Sequence, residues 1–140
     1  MIGTIYDILS SVCLIAILIW GSRSQKIVMI TLYLGSFTTA IIYWETGRNW
    51  LEPSPLLAIN EMVVTAIFLW IAFRSERFWP LPIAATQLIA LGAHFVAYFG
   101  DNLQSYALGV MQGIWSYPQM LMLLIATYRH VQRSKAETPT

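Results

Sequence analysis

Five long apolar stretches separated by short polar segments set the pattern of the chain, at about residues 2–20, 27–44, 56–73, 78–99 and 105–128. Each is close to the roughly 20 residues that an α-helix needs to cross about 30 Å of hydrocarbon at about 1.5 Å per residue. In the first stretch the apolar residues encircle the whole helix, which favours spanning over lying on a surface. The pattern predicts an all-α fold, a polytopic membrane helix bundle of about five transmembrane helices. Residues 1–133 form its single transmembrane helical domain, and residues 134–140 a short polar tail.

The punctuation between stretches agrees with this division. A polar turn from Gly21 to Lys26 separates the first two. Ser54 followed by Pro55 offers an N-cap and a proline at the first helical position of the third. Pro80 and Pro82 fall in the first turn of the fourth, where missing N–H donors cost least. Gly100, Asp101 and Asn102 signal the turn before the fifth.

Orientation follows from Lys and Arg, which accumulate on the cytoplasmic side of membrane spans. With five spans, Arg23, Lys26, Arg74, Arg77, Arg129, Arg133 and Lys135 share one side, and the other holds only Arg48 beside Glu45, Glu52 and Asp101. An even number of spans breaks that segregation. The N-terminus is therefore expected outside and the C-terminus in the cytoplasm. Trp20, Trp44, Trp50, Trp70, Trp79, Tyr98 and Tyr128 fall near span ends, at the depth aromatic side chains prefer.

Composition narrows the class further. Of 140 residues 57% are hydrophobic and 11% charged, too few charges to coat a small soluble domain. Mean hydropathy is +0.61. A net charge of +1 with scattered basic residues argues against a nucleic-acid partner. Cys13 is the one cysteine, so neither an internal disulfide nor a cysteine metal cluster is expected. The first stretch lacks a basic leader and a small-residue cleavage site, and is expected to stay in the mature protein.

Polar groups inside hydrocarbon are costly, so those within spans are candidate sites. Glu61 and His94 lie at similar distances from the outer ends of the third and fourth spans. With Asp7, Asn60 and Gln112 they define a possible ligand or proton site opening outward, with Glu45 and Asp101 at its rim. The same residues also read as interhelical packing contacts, each contributing about 1 kcal/mol. Gly109, Gly113 and Ser116 give the fifth span a helix-packing or oligomer face, and Pro118 is expected to kink it near its middle. Gly35, Ser36, Thr38 and Thr39 form a comparable small-residue face on the second span. A single intramembrane histidine predicts no metal site and no haem. No cofactor is expected, though a bound lipid or quinone is compatible with the outer cluster. No Ser-His-Asp grouping, Gly-rich phosphate loop or HExxH motif is present, so nothing points to catalysis.

The stretch Arg77-Phe78-Trp79-Pro80-Leu81-Pro82, with Gln87 and His94 after it and Trp115-Ser116-Tyr117-Pro118 later, resembles small multi-pass membrane proteins of alphaproteobacteria, a group without an assigned activity. The resemblance covers roughly the second half of the chain and implies a bacterial inner membrane. The functional expectations are then ordered. First stands an accessory, assembly or oligomer-forming subunit of a membrane complex, with the bilayer and other membrane subunits or its own copies as partners. Second is a transporter or channel for a proton, small cation or small solute using Glu61 and His94. A lipid- or quinone-binding protein, or a membrane-permeabilising effector, completes the set.

Overall fold

Each helix starts where the local sequence supplies a reason. The computed structural model describes residues 2–46, 54–99 and 114–137, and these form five α-helices with no strand among the described residues. They are α1 (Ile2–Trp20), α2 (Arg23–Thr46), α3 (Pro55–Arg74), α4 (Pro80–Phe99) and α5 (Ser116–Ala136).

The turn between α1 and α2 is tighter than the sequence suggests, because only Gly21 and Ser22 lie outside the helices. Ser22 caps α2: its N–H donates to Gln25 Oε1 at 2.8 Å while its carbonyl accepts from the Lys26 N–H at 3.0 Å, a capping box in which the third helical residue reaches back. Gly21 is required by close approach, since a Cβ there would sit 2.5 Å from the Ile17 carbonyl oxygen. Ser54 precedes α3 in an extended conformation with Pro55 at the first helical position, as expected. Pro80 opens α4, two residues later than the apolar run suggests.

α5 begins at Ser116 after Trp115, so Pro118 lies in its first turn, and the expected mid-span kink falls against residues outside the described ones. A proline removes an N–H and crowds the carbonyl four residues earlier, here that of Ile114. Trp115 keeps α-region angles of −66° and −22°, and its carbonyl accepts from the Gln119 N–H at 3.4 Å. The helix then runs past Tyr128 to Ala136, three residues into the stretch expected to be a polar tail. Arg133 and Lys135 lie in its last turn, where cations are favourable at the negative end of the helix.

The helices pack in an antiparallel sequence. Tyr6 of α1 meets Ser36 of α2, centred on the Gly21–Ser22 turn. Asn60 of α3 meets Thr39 while Val64 meets Gly35, so α3 runs opposite to α2. Residues 75–79 return the chain from α3 to α4, the most extensively packed pair. α5 closes the bundle against α1, α2 and α4. The seven basic residues described, Arg23, Lys26, Arg74, Arg77, Arg129, Arg133 and Lys135, thereby gather at one end, where α1, α3 and α5 finish.

The interior divides into two halves. Toward the basic end it is mostly apolar: Cys13, Ile17, Val28, Met29, Leu32, Phe68, Ile71, Ile83, Met120 and Leu123 form one buried cluster, and Gln25 and Thr127 are buried polar side chains in the same half. Toward the opposite end the helices meet through polar side chains. The outer surface is reversed relative to a water-soluble protein, since Ile8, Val12, Ile15, Leu34, Phe37, Ile59, Val63, Leu88, Ile89, Leu121 and Ile125 are all exposed while Ser10, Thr65, Gln87 and Gln119 are buried. Two helices, α2 and α3, are long and apolar enough to cross a membrane; the apolar runs Ile5–Trp20 and Pro80–Val96 are shorter.

Candidate functional site

One polar layer crosses the bundle. Tyr6 lies fourteen residues before Trp20, Ser36 thirteen after Arg23 and Glu61 thirteen before Arg74. At about 1.5 Å per residue all three sit about 20 Å from the basic end.

Its first part is structural in character. Ser36 donates its hydroxyl to the Leu32 carbonyl at 3.0 Å, which leaves its oxygen to accept from Tyr6 at 2.7 Å. The Tyr6 ring meets the Tyr117 ring edge to face, with centroids 5.7 Å apart, joining α1 to α5. Asn60 donates its side-chain amide to the Gly35 carbonyl at 3.0 Å and to Thr39 Oγ1 at 3.1 Å. That bond depends on Gly35, where α2 and α3 come so close that a Cβ would lie 2.9 Å from Val64 Cγ2. The small-residue face read on the second span is therefore a packing face at Gly35, Ser36 and Thr39, whereas Thr38 is exposed.

The second part holds the ionisable group. Gln119 on α5 donates through Nε2 to Gln87 Oε1 on α4 at 2.8 Å. Gln87 in turn donates through Nε2 to Glu61 Oε2 on α3. Both glutamines are almost completely buried. Tyr43 of α2, also buried, lies within electrostatic reach of the Glu61 carboxylate. Every donor in this chain points toward Glu61, the arrangement in which aligned amide dipoles support a carboxylate acceptor. It ties three helices together through side chains alone.

The predicted cluster is brought together only in part. Asn60 and Glu61 share the layer, but Asn60 turns to α2 and Glu61 to α4. His94 is half-buried and lies two turns beyond Gln87 on α4, about 10 Å along the axis; among the described residues no hydrogen bond joins it to Glu61. Asp7 is exposed, and its backbone carbonyl accepts from Ser10. Glu45 is exposed at the end of α2. Ser116 opens α5, half-buried beside Tyr117. Gln112, Gly109, Gly113 and Asp101 lie outside the described residues. Among the described residues no group of three His, Cys, Asp or Glu side chains is placed to hold a metal ion.

The partners that sequence reasoning missed are Gln87 and Gln119. A signal was available, since each is the amide of an otherwise apolar stretch on its helix. Comparison with known protein families, curated proteins and solved structures finds no match for the chain.

Proposed function

We propose that the protein is a five-span membrane protein of a bacterial inner membrane, N-terminus periplasmic and C-terminus cytoplasmic, acting as a small accessory subunit that binds a proton or small polar ligand from the outer side at Glu61. The observation that carries this reading is the Glu61–Gln87–Gln119 chain lying above a mostly apolar half. A carboxylate in a membrane interior is costly to keep and is retained for a task. The apolar exterior on all five helices supports embedding, and the basic end supports the orientation.

The mostly apolar half below the layer favours an accessory role over a pore. A pore through a single chain needs polar groups continuing to the other face, yet the buried side chains below the layer are mostly apolar, Ile17, Met29, Phe68, Met120 and Leu123 among them, with Gln25 and Thr127 as polar exceptions. A ligand bound at Glu61 acts on the bundle and whatever the bundle touches. Protonating Glu61 adds an O–H donor beside its remaining acceptor oxygen, which changes what it offers to Gln87 and, through Gln87, to Gln119. The state of α3 is thereby passed to α5 beside its proline.

Infrared spectroscopy of reconstituted protein tests this reading. A carboxylic-acid band that grows on acidification and disappears in Glu61→Gln is expected, and its absence from the wild type contradicts the reading. A second reading, a proton or small-cation transporter using Glu61, is favoured by Gln25 and Thr127, polar side chains buried toward the basic end. It requires pH-dependent flux by the isolated protein in proteoliposomes, lost in Glu61→Gln.

A further inference from the structure

At the basic end, the turn between α3 and α4 carries a surface that the polar layer does not explain. Arg74 ends α3 with its guanidinium 5.1 Å from the centre of the Trp70 ring, a cation–π contact that holds it in place. Arg77 follows in the turn, where its N–H donates to Ser75 Oγ at 3.2 Å. Trp79 packs against the buried cluster and Pro80 is buried, so the turn is pinned from inside. The aromatic side chains on either side point outward instead: Phe73 is 82% and Phe78 79% exposed, with Trp70 at 52%. Neither guanidinium has a carboxylate within salt-bridge distance among the described residues, although Glu76 lies between them in sequence.

Two guanidinium groups without a carboxylate partner among the described residues, Arg74 held on Trp70 and Arg77 on a pinned turn, framed by outward aromatic rings, match a molecule with an anionic head and apolar tails. Guanidinium groups favour phosphate because their planar N–H donors meet its oxygens in pairs. Large exposed apolar rings beside them exclude a purely aqueous anion as the better fit, since it leaves Phe73 and Phe78 uncovered. Resting on the membrane reading above, we propose that the α3–α4 turn is a binding site for one anionic phospholipid of the inner leaflet, its phosphate between Arg74 and Arg77 and its acyl chains against Phe73 and Phe78.

The site differs from the basic residues of α5. Arg129, Arg133 and Lys135 sit on an exposed helical extension, whereas Arg74 and Arg77 flank a pinned turn. Each basic residue near an anionic membrane surface is worth about a fivefold change in binding, so losing two amounts to about 25-fold.

The test is native mass spectrometry of the full chain released from nanodiscs of phosphatidylcholine with a minor fraction of phosphatidylglycerol. Wild type is expected to retain one phosphatidylglycerol, and Arg74→Gln/Arg77→Gln to lose it by about 25-fold. Arg129→Gln/Arg133→Gln is expected to retain it. Inorganic phosphate added in excess should not displace the lipid. Equal retention by the Arg74/Arg77 variant and wild type overturns the proposal, as does displacement by phosphate. A wild type that does not enter nanodiscs fails the membrane reading itself, a result distinct from entering them without lipid preference.

Discussion

Gln119 donates its side-chain amide to Gln87 at 2.8 Å, and Gln87 spends its own amide on Glu61, so one buried glutamine couples two helices that have no backbone contact of their own. Gln87→Leu therefore strands a donor on α5 and a carboxylate on α3. Removing one partner of a buried charged hydrogen bond costs about 2–4 kcal/mol. Glu61→Gln keeps an acceptor for Gln87 and is expected to cost about 1 kcal/mol or less. Thermal unfolding in detergent should rank Gln87→Leu well below Glu61→Gln; the opposite order breaks the chain's assignment.

The coupling is also expected to be non-additive. Side chains in one network interact by about 0.5–3 kcal/mol beyond the sum of single changes. The double variant Glu61→Leu/Gln87→Leu removes the stranded carboxylate and should be less damaging than the two single leucine changes added together. A double-mutant cycle by equilibrium unfolding reads this directly.

Three glycines should respond to alanine in three ways. Gly21→Ala drives a methyl into the Ile17 carbonyl, which is backbone and cannot turn aside, and should destabilise by about 1–3 kcal/mol. Gly35→Ala meets only Val64 Cγ2, so its smaller cost should be recovered by Val64→Ala, which opens the space. Gly92 has nothing within 4 Å, and Gly92→Ala should be neutral or stabilising by up to about 1 kcal/mol. Unfolding curves of the four variants check the order, and a Gly35→Ala that Val64→Ala cannot relieve removes the close approach of α2 and α3.

Pro118→Ala supplies an N–H opposite the Ile114 carbonyl and should change the backbone path where α5 begins. Gln119 then moves relative to Gln87, so the fluorescence of Trp115 and the amide infrared bands of the glutamines should shift together. A variant in which the fluorescence moves and the amide bands do not separates the start of α5 from the polar chain.

The helices were legible because apolarity in bulk needs no knowledge of partners: the expected stretches at 2–20 and 56–73 match α1 and α3 within one residue at each end. The first turn was read too long because Ser22 and Gln25 look like loop residues until their spacing is recognised as a cap. That Asn60 and Glu61 make polar contacts between helices was legible, and their partners were not. Equal distance from span ends suggested Glu61 with His94, but pairing depends on how α3 and α4 are staggered. Glu61 is thirteen residues from the end of α3, whereas Gln87 is only seven from the start of α4. Residues 75–79, together with the two prolines after them, separate those ends and bring Gln87, not His94, beside Glu61. Asn60 goes to α2 because Gly35 admits it, a contact that no single helix's sequence displays.

The central claim is that all five helices stand in lipid with their apolar faces outward, and spin-label accessibility tests it in one experiment. Nitroxides at Ile15, Phe37, Ile59, Ile89 and Ile125, one exposed site on each helix, should collide freely with dissolved oxygen and hardly at all with a water-soluble nickel chelate in liposomes. Ready access of the chelate to the labels on α1, α4 or α5 contradicts the five-span bundle.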